Sequence, residues 1–276
     1  MRIASWNVNS VRTRLSQVLA WLEQEQPDVL CLQETKVDDP LFPHQPFLDL
    51  GYASAISGQK AYNGVAILSR LPLEDVQTGF AALLPGDGQA QRLDEQKRLI
   101  SAQIEGVRVL NLYVPNGSAL RSDKYAYKLD WLDCLSRYLA RQAEQGEPLC
   151  MVGDFNIGPE DRDLSEPERQ SGGIMASEPE RQALRVALGE RLHDAFRMFE
   201  PNSGHWSWWD YRSGAWERDR GWRIDHIYID DELLAQATGC VIHKTTRANL
   251  QPSDHAPVVV NLAWPPTDDS ADIGDD

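Results

Sequence analysis

Four short segments, spread along the chain, carry side chains that can bind a metal or assist the hydrolysis of an ester. They are Trp6-Asn7-Val8-Asn9, Gln33-Glu34-Thr35, Gly153-Asp154-Phe155-Asn156 and Ser253-Asp254-His255. Each borders a run of aliphatic residues, which predicts that each lies at a strand end, where the loops of α/β sheets build sites. Oxygen ligands suit a hard cation such as Mg²⁺ or Mn²⁺, and a nearby histidine suits a phosphate or a proton. The segments therefore predict metal-assisted phosphoester chemistry.

Glu34 and Asn7 are the candidate metal ligands. Glu34 follows the apolar run Val29–Leu32, which places its carboxylate just beyond a predicted strand. A lone glutamate there can also be a surface charge or a helix cap. Asn7, at another predicted strand end, offers a carboxamide oxygen, a neutral ligand that completes a Mg²⁺ shell without excess negative charge.

Asp154 and Asn156 follow an apolar run that ends in Gly153, where the missing side chain permits close backbone approach. Residues two apart on an extended chain face the same side, so the two polar groups can address one substrate group together. We interpret Asp154 as orienting or deprotonating water and Asn156 as donating to a phosphate oxygen. An Asx turn explains the same pair equally simply.

His255 precedes an apolar run and is predicted to hold its imidazole at the mouth of a buried strand. Asp225 lies among isoleucines, where an unpaired carboxylate would be costly, and is the predicted partner of His255. Such a pair raises the pKa of the histidine and favours an imidazolium that stabilises charge on phosphate. A core or helix-capping histidine is the alternative. His226 alternates away from Asp225 and is predicted to be structural.

Further candidates lie beside predicted strands and in an aromatic segment. Tyr113 and Asn116 could donate to a phosphate, although turn chemistry explains Asn116 before Gly117 equally well. Trp208 and Arg212 belong to a stretch rich in tryptophan and arginine. Aromatic faces beside arginine suit stacking on nucleotides or insertion into a duplex, and covering a sheet edge is an equal alternative.

Apolar runs and helical periodicity predict ten strands and three helices in this sequence. The predicted strands are Arg2–Trp6, Val29–Gln33, Ala53–Ser57, Val65–Ser69, Leu99–Ile104, Val107–Tyr113, Leu149–Gly153, Ile224–Ile229, Cys240–His243 and Val258–Leu262. Two helices have apolar faces within Val11–Leu22 and Leu129–Leu139, and the third begins with a capping box at Ser177. The polar stretch Asp161–Gly173 is expected to be a long loop or a short helix. The excess of strands predicts two sheets packed face to face, with helices outside, in one domain over residues 1–264.

Composition limits the partners. The 276 residues carry a net charge of −15, which argues against coating nucleic acid through bulk electrostatics. Residues 265–276 are predicted to be a disordered acidic tail, and a basic rim formed by Arg121, Lys124, Lys128 and the range Arg212–Arg223 could still contact a polyanion. The four cysteines are far apart and are predicted to be buried and free. Lacking a leader and a membrane span, the chain is expected to be a cytoplasmic monomer that binds no membrane.

Eight segments, in order along nearly the whole chain, resemble the exonuclease III family of apurinic/apyrimidinic (AP) endonucleases, within the endonuclease/exonuclease/phosphatase superfamily. They are Trp6-Asn7-Val8-Asn9-Ser10, Gln33-Glu34-Thr35-Lys36, Tyr62-Asn63-Gly64-Val65-Ala66, Leu112-Tyr113-Val114-Pro115-Asn116-Gly117, Gly153-Asp154-Phe155-Asn156-Ile157, Trp208-Trp209-Asp210-Tyr211-Arg212, Arg223-Ile224-Asp225 and Ser253-Asp254-His255-Ala256-Pro257. The resemblance implies a four-layered α/β sandwich of two packed, mainly antiparallel or mixed sheets flanked by helices.

The resemblance also implies a Mg²⁺-dependent hydrolase of DNA phosphodiesters, with Mn²⁺ as a substitute metal. It would act in base-excision repair on duplex DNA, incising 5′ to abasic sites and trimming or unblocking 3′ ends. By analogy, the metal side comprises Glu34 as principal ligand with Asn7 and Asp254 nearby. On the phosphate side, Asp154 would position or activate the attacking water. Asn156 and Tyr113 would hold the phosphate, and the Asp225–His255 pair would stabilise it. Trp208 matches an aromatic residue near the abasic-sugar pocket, and Asn116 and Arg212 are further expected substrate contacts.

Two other functions fit the same residues. Relatives that cleave phosphoinositides, sphingomyelin or other nucleic acids share the Asn, Glu, Asp-x-Asn and Asp-His set, although the segments around Trp208 and Asp225 favour DNA repair. A non-catalytic regulator that binds nucleic acid or protein would be expected to have lost some of these groups. All of them are present in this sequence.

Overall fold

The computed structural model describes residues 1–266. In these residues the strands are β1 (Arg2–Asn7), β2 (Val29–Gln33), β3 (Ala53–Ser57), β4 (Val65–Ser69), β5 (Glu74–Thr78), β6 (Leu99–Ile104), β7 (Val107–Tyr113), β8 (Leu149–Asp154), β9 (His193–Asp194), β10 (Asp225–Ile229), β11 (Ala237–Ile242) and β12 (Val258–Leu262). The α-helices are α1 (Leu15–Glu25), α2 (His44–Asp49), α3 (Gly88–Asp94), α4 (Asp123–Ala143), α5 (Pro167–Gln170), α6 (Glu178–Leu188), α7 (Ala195–Phe199) and α8 (Asp231–Leu234). Most of the predicted acidic tail, residues 267–276, lies outside the described residues.

The strands form two six-stranded mixed sheets, with orders β11-β12-β1-β2-β4-β3 and β5-β6-β7-β8-β10-β9. Most neighbours are antiparallel, but β1 pairs with β2 and β7 with β8 in parallel. Each parallel pair lies at the centre of its sheet. The carboxyl ends of β1, β2, β7 and β8 therefore form a frame for side chains that leave the strands.

The core has three layers of apolar contact, because each sheet buries both of its faces. Between the sheets, Ile3, Val29 and Ile67 of the first sheet pack against Val109 and Val152 of the second. The outer face of the first sheet packs on α1 and α2, and that of the second on α3, α4 and α6. The result is a four-layered α/β sandwich, which confirms the fold class expected from the sequence.

The predicted strands and helices are all present, with shifts of a few residues at their ends. The capping box at Ser177 is confirmed at the start of α6, since the Ser177 hydroxyl accepts from the Glu180 backbone N–H and the Glu180 carboxylate accepts from the Ser177 backbone N–H. The stretch Asp161–Gly173 contains a 3₁₀ turn at Asp161–Asp163 and the short helix α5. Helix α5 agrees with the short helix expected as one possibility for that stretch, whereas strands β5 and β9 and the short helices α2, α3, α7 and α8 are absent from the predicted set. Strand β5 is a polar, largely exposed edge strand, and β9 has two residues, so neither has an apolar pattern.

The four cysteines are buried and free, as predicted. Within residues 1–266, no helix is long and apolar enough to cross a membrane. The single domain over residues 1–264 stays a prediction.

Candidate active site

The predicted site residues converge at one edge of the sandwich because of strand register. In the first sheet, Asn7 of β1 pairs with Gln33 of β2, so Glu34 follows directly beside it. In the second sheet, Asp154 of β8 lies between Tyr113 of β7 and Asp225 of β10. His255 reaches the same edge just before β12. The convergence of strand ends expected from the sequence is confirmed.

Asn7 links the two carboxylates at the centre of this edge. Its Nδ2 atom donates to Glu34 Oε1 at 2.8 Å and to Asp154 Oδ2 at 2.8 Å. Its Oδ1 accepts from the backbone N–H of Asn9 at 3.0 Å. Asn7 therefore holds the carboxylates of two sheets together, and it would offer its oxygen to a metal only after the carboxamide rotates.

Asp154 and Asn156 share one buried turn. Asp154 Oδ1 accepts from the Asn156 backbone N–H at 2.9 Å, so the Asx turn weighed as an alternative is present. The Asn156 carboxamide also donates to Asp154 Oδ2 at 3.2 Å and to the Val114 carbonyl at 3.0 Å. A Cβ atom on Gly153 would lie 2.1 Å from the Leu112 carbonyl oxygen, so only glycine fits before Asp154. The turn is what fixes the direction of the Asp154 carboxylate.

His255 and Asp225 form the pair predicted from the sequence. His255 Nδ1 lies 2.8 Å from Asp225 Oδ2 and 3.0 Å from Oδ1. The Ser207 hydroxyl donates to Asp225 Oδ2 at 2.7 Å, which holds the carboxylate from its other side. Burial acts to lower the pKa of His255, but Asp225 and Asp154 outweigh it and raise the pKa to about 10. His255 is therefore an imidazolium at neutral pH.

His226 has a different environment. It is buried, its Nδ1 lies 2.8 Å from the Tyr228 hydroxyl, and its ring stacks on Phe155. Its predicted structural role is consistent with these contacts.

The charges at this edge fit a divalent cation. The carboxylates of Glu34 and Asp154 and the imidazole of His255 have atoms within 4.8 Å of one another, and with His255 protonated the two carboxylates are the groups able to bind a cation. Burial, together with Asp225 and Glu34, raises the pKa of Asp154 to about 7 against the lowering effect of His255. A carboxylate so destabilised by burial and by negative neighbours favours a bound cation. The Glu34 side chain is 17% exposed and that of Asp154 is 1% exposed, so Glu34 is the more accessible of the two carboxylates.

Tyr113 and Asn116 border the same edge. Burial and the Glu34 carboxylate raise the pKa of Tyr113 well above its usual value, so its hydroxyl stays protonated as a donor. The Arg98 guanidinium lies over the Tyr113 ring, 4.5 Å from its centroid. Asn116 Nδ2 donates to Asn156 Oδ1 at 2.9 Å, which joins the two carboxamides.

Asp254 lies beside the cluster rather than within it. Its carboxylate accepts from Asn9 Nδ2 at 3.1 Å and from Trp208 Nε1 at 3.0 Å. Burial acts to raise the pKa of Asp254, but His255 and these donors outweigh it and lower the pKa. Asp254 anchors the Trp208 ring, whose centroid is 6.5 Å from that of His255.

The aromatic segment divides between two environments. Trp206 and Trp209 are buried against Ala256, which fits the alternative that they cover a sheet edge. Trp208 is partly exposed and faces the site. The Arg212 side chain is 86% exposed and bonds to Asp210, so the structure does not bring it into the cluster. Its contact with substrate stays a prediction.

Three residues of the site have no role in the sequence predictions. The Lys36 ammonium lies 2.8 Å from Glu34 Oε2 and donates to Asn9 Oδ1 at 2.6 Å. Ser207 holds Asp225, and Asn9 holds Asp254. Lys36 and Asn9 lie within two residues of Glu34 and Asn7 in the sequence, and this closeness could have indicated that they belong to the site. The sequence does not indicate a role for Ser207, because its partner Asp225 lies 18 residues away on another element and the segment between them has no periodic pattern.

The expected basic rim is wrong at two positions. Lys128 is fully buried and pairs with Glu180. Arg223 is buried as well and bonds to Asp163 and Asp194. Neither side chain is available to a surface polyanion.

Two packed mixed sheets with carboxylates, carboxamides and an Asp–His pair at one edge define a class of metal-dependent phosphoester hydrolases. The chain belongs to the Endonuclease/Exonuclease/phosphatase family, whose sequence model matches residues 4–255. These observations confirm the resemblance found in the sequence and the expected class of enzyme, a nuclease that hydrolyses phosphodiester bonds.

Individual relatives match over almost their whole lengths. Exodeoxyribonuclease III of Haemophilus influenzae is 35% identical, covering 94% of this chain and 98% of its own. A 3′ phosphatase from Neisseria, solved with a product DNA hairpin, is 40% identical with a TM-score of 0.89, covering 96% of this chain and 100% of its own. An AP endonuclease from Archaeoglobus fulgidus is 37% identical with a TM-score of 0.88, covering 95% and 99%.

Proposed function

We propose that this protein is a Mg²⁺-dependent DNA repair nuclease that incises duplex DNA 5′ to abasic sites and trims or unblocks 3′ ends. The observation that carries the proposal is the buried cluster in which Asn7 joins Glu34 to Asp154, with the Asp225–His255 pair beside it. Both activities require the same chemistry, since each hydrolyses a phosphoester with water.

Asp154 is the proposed general base. Its pKa of about 7 lies near physiological pH, where a carboxylate accepts a proton more readily than at its usual pKa. Its Oδ2 atom is held by Asn7 and Asn156, which fixes the direction from which it can address a water. A catalytic group that is held in place before the reaction needs no reorganisation in the transition state, which makes its hydrogen bonds more effective.

His255 is the proposed stabiliser of phosphate charge. Its Nδ1 is engaged by Asp225, which leaves Nε2 directed towards Asp154 at 3.8 Å, beyond hydrogen-bonding distance. The Nε2–H of an imidazolium can therefore donate to a phosphate oxygen placed between the strand ends. Tyr113 supplies a neutral donor to the same group. Asn156 would supply another by exchanging its 3.2 Å bond to Asp154 Oδ2 for one to the phosphate, with Asn116 supporting Asn156.

Glu34 is the proposed principal metal ligand, with Asn7 and Asp254 as candidate contributors. Bound Mg²⁺, or Mn²⁺ in its place, would neutralise charge on the phosphate as a Lewis acid. Lys36 bonds to Glu34 and is placed to balance the carboxylate charge. Trp208, held by Asp254, is the proposed contact with the sugar at an abasic site, and Arg212 is a proposed backbone contact.

The DNA substrate is supported by the relatives. One is named for its action as a DNA exonuclease, one as an AP endonuclease, and one was solved with a DNA hairpin as its product. Their matches cover 94% to 96% of this chain, and the family model spans residues 4–255, a range that includes the segments around Trp208 and Asp225. The alternatives are phosphoester hydrolyses with another substrate, by an enzyme of the same family.

The test is cleavage of end-labelled duplexes in the presence of Mg²⁺ or of EDTA. One duplex carries an abasic analogue, a second ends in a 3′-phosphate, and a third is intact. We expect incision 5′ to the lesion, release of phosphate and 3′-to-5′ shortening, all abolished by EDTA. Failure to cleave any of the three would contradict the proposed substrate and favour the alternatives.

A further inference from the structure

A buried lysine lies directly behind the two asparagines of the site. Lys128 on α4 has no exposed surface, and its ammonium has three acceptors. These are Glu180 Oε1 at 2.6 Å, the Asn156 carbonyl at 2.7 Å and the Asn116 carbonyl at 3.3 Å. A lysine has three N–H donors, so each acceptor takes one.

Glu180 completes the network from the other side. Its Oε1 also accepts from the Met175 backbone N–H at 3.1 Å. Its Oε2 accepts from the backbone N–H of Ser177 at 3.1 Å and from the Ser177 hydroxyl at 2.5 Å. One carboxylate therefore caps α6 and neutralises Lys128 at the same time.

Stability alone does not explain a buried ion pair of this kind. Removing two charges from water has a large desolvation cost, and well-packed apolar side chains often replace such pairs without loss of stability. What apolar side chains cannot replace is the pair of hydrogen bonds to Asn156 and Asn116. Those carbonyls belong to the residues whose carboxamides bond to each other at the site.

Asn156 requires support because of its backbone conformation. Its φ angle is 50°, in the left-handed region that asparagine tolerates but does not prefer. The Lys128 ammonium fixes the direction of its carbonyl and therefore the plane of the Asn156–Ile157 peptide, which leaves the Asp154–Asn156 turn. That turn also includes the bond from the Asn156 N–H to Asp154 Oδ1.

We propose that Lys128, paired with Glu180, is a positioning residue for hydrolysis, which holds the Asn156 and Asn116 loops in the geometry that binds phosphate. The inference rests on the proposed function, since it assigns those loops to the phosphate. Lys128 does not touch the substrate, because it is fully enclosed by α4, α6 and the two loops. Its influence reaches the phosphate through the backbone of its neighbours.

The test compares Lys128→Met with the double variant Lys128→Met, Glu180→Gln. The single variant leaves a buried carboxylate without a counter-charge and is expected to lower the stability of the fold for that reason alone. The double variant removes both charges, while a glutamine at 180 can still cap α6. We expect it to fold, and to lower the single-turnover rate on the abasic duplex by about 10- to 100-fold, as displaced supporting groups typically do.

Two further readouts separate positioning from a general loss of structure. The Mg²⁺ concentration for half-maximal rate should stay within about two-fold of wild type, because Lys128 contacts neither Glu34 nor Asn7. Amide hydrogen exchange should accelerate in residues 114–117 and 155–158, independently of any activity. That second readout tests the positioning role even if the substrate is wrong.

Arg108→Met is the matched control. Arg108 is also a buried cation paired with acidic groups, Asp75 and Glu147, but it lies at the opposite end of β7 from Tyr113. It should lower the melting temperature while leaving the single-turnover rate within about two-fold of wild type.

The outcomes separate the two hypotheses. A double variant with wild-type rate and wild-type exchange would overturn the positioning role, as would an equal loss of rate in Arg108→Met at similar stability. A wild-type protein that cleaves none of the DNA substrates would contradict the proposed function instead. In that case, accelerated exchange confined to the two loops would still support positioning by Lys128, and unchanged exchange would refute it.

Discussion

Asp163 anchors the strand that carries Asp225, and its substitution gives the most quantitative prediction. The Asp163 carboxylate is fully buried and accepts from Arg223 Nε at 2.7 Å and from the Arg197 guanidinium. Its carbonyl accepts from the Arg223 backbone N–H at 2.9 Å. Arg223 is two residues before Asp225, so these bonds support the segment that leads into the site. The perturbation is Asp163→Asn, which keeps the size and one acceptor oxygen but removes the charge.

The magnitude follows from the pKa of this carboxyl. Burial acts to raise it, but Arg223 and Arg197 outweigh burial and lower the pKa from 3.8 to about 2. Each pKa unit corresponds to about 1.4 kcal/mol, so the charged form contributes about 2–3 kcal/mol to the free energy of unfolding. Because the folded pKa is lowered, this contribution is complete well above pH 4 and is lost as the pH falls through 2. Linkage predicts that about 1 kcal/mol of it is gone by pH 3.

The assay is urea unfolding of both proteins at pH 7, 5, 4 and 3. We expect Asp163→Asn to be less stable by about 2–3 kcal/mol at pH 7. The difference should narrow by about 1 kcal/mol at pH 3, where wild type has lost part of the same contribution. Asp161→Asn, which breaks an exposed pair with Arg181, is the control and should change stability by less than about 1 kcal/mol. A difference between wild type and Asp163→Asn that stays constant from pH 7 to 3 would refute the reasoning.

Three more substitutions test parts of the site. Glu34→Ala should raise the Mg²⁺ concentration needed for half-maximal cleavage by at least ten-fold, on the order expected for a lost ligand; an unchanged titration would remove Glu34 from the metal site. Ser207→Ala removes a donor to Asp225 Oδ2 and leaves two buried N–H groups without their acceptor. It should lower the free energy of unfolding by about 1–3 kcal/mol, measured by thermal unfolding, and should lower kcat more than it changes KM. Gly153→Ala forces a Cβ onto the Leu112 carbonyl and should destabilise by about 2–3 kcal/mol; wild-type stability would show that the β7–β8 pairing can adjust.

Much of the fold could be predicted because its strands are apolar runs of ordinary length. Strands β1, β2, β4, β8 and β12 are buried throughout or nearly so, and such runs are conspicuous in a sequence. Strand β5 has neither an apolar composition nor an alternating pattern, since its five residues are polar or exposed. It is a strand because it pairs with β6. Helix α1 begins at Leu15 rather than Val11, because residues 11–14 form a turn instead.

The residues of the site were easier to predict from the sequence than the buried residues that hold them in position. Asn7 and Asp154 are the last residues of β1 and β8, and Glu34 follows β2 directly. Parallel pairing brings these strand ends to one edge, which His255 reaches just before β12. Lys128 shows the limit of the same approach, because its sequence neighbours give no sign that α6 supplies a carboxylate at 2.6 Å. A lysine near the start of a helix is usually solvated, and only tertiary packing encloses this one.

Asp154 is the residue on which the proposed hydrolysis depends most, because it is the proposed general base for the attacking water. The most direct measurement is the cleavage and binding of an abasic duplex by Asp154→Asn beside wild type, at saturating Mg²⁺. Asparagine keeps the shape of the side chain but cannot accept a proton, so we predict that turnover is abolished while the dissociation constant for DNA stays within a few-fold of wild type. Turnover close to that of wild type would contradict the account, and a parallel loss of binding and turnover would assign Asp154 a structural role instead.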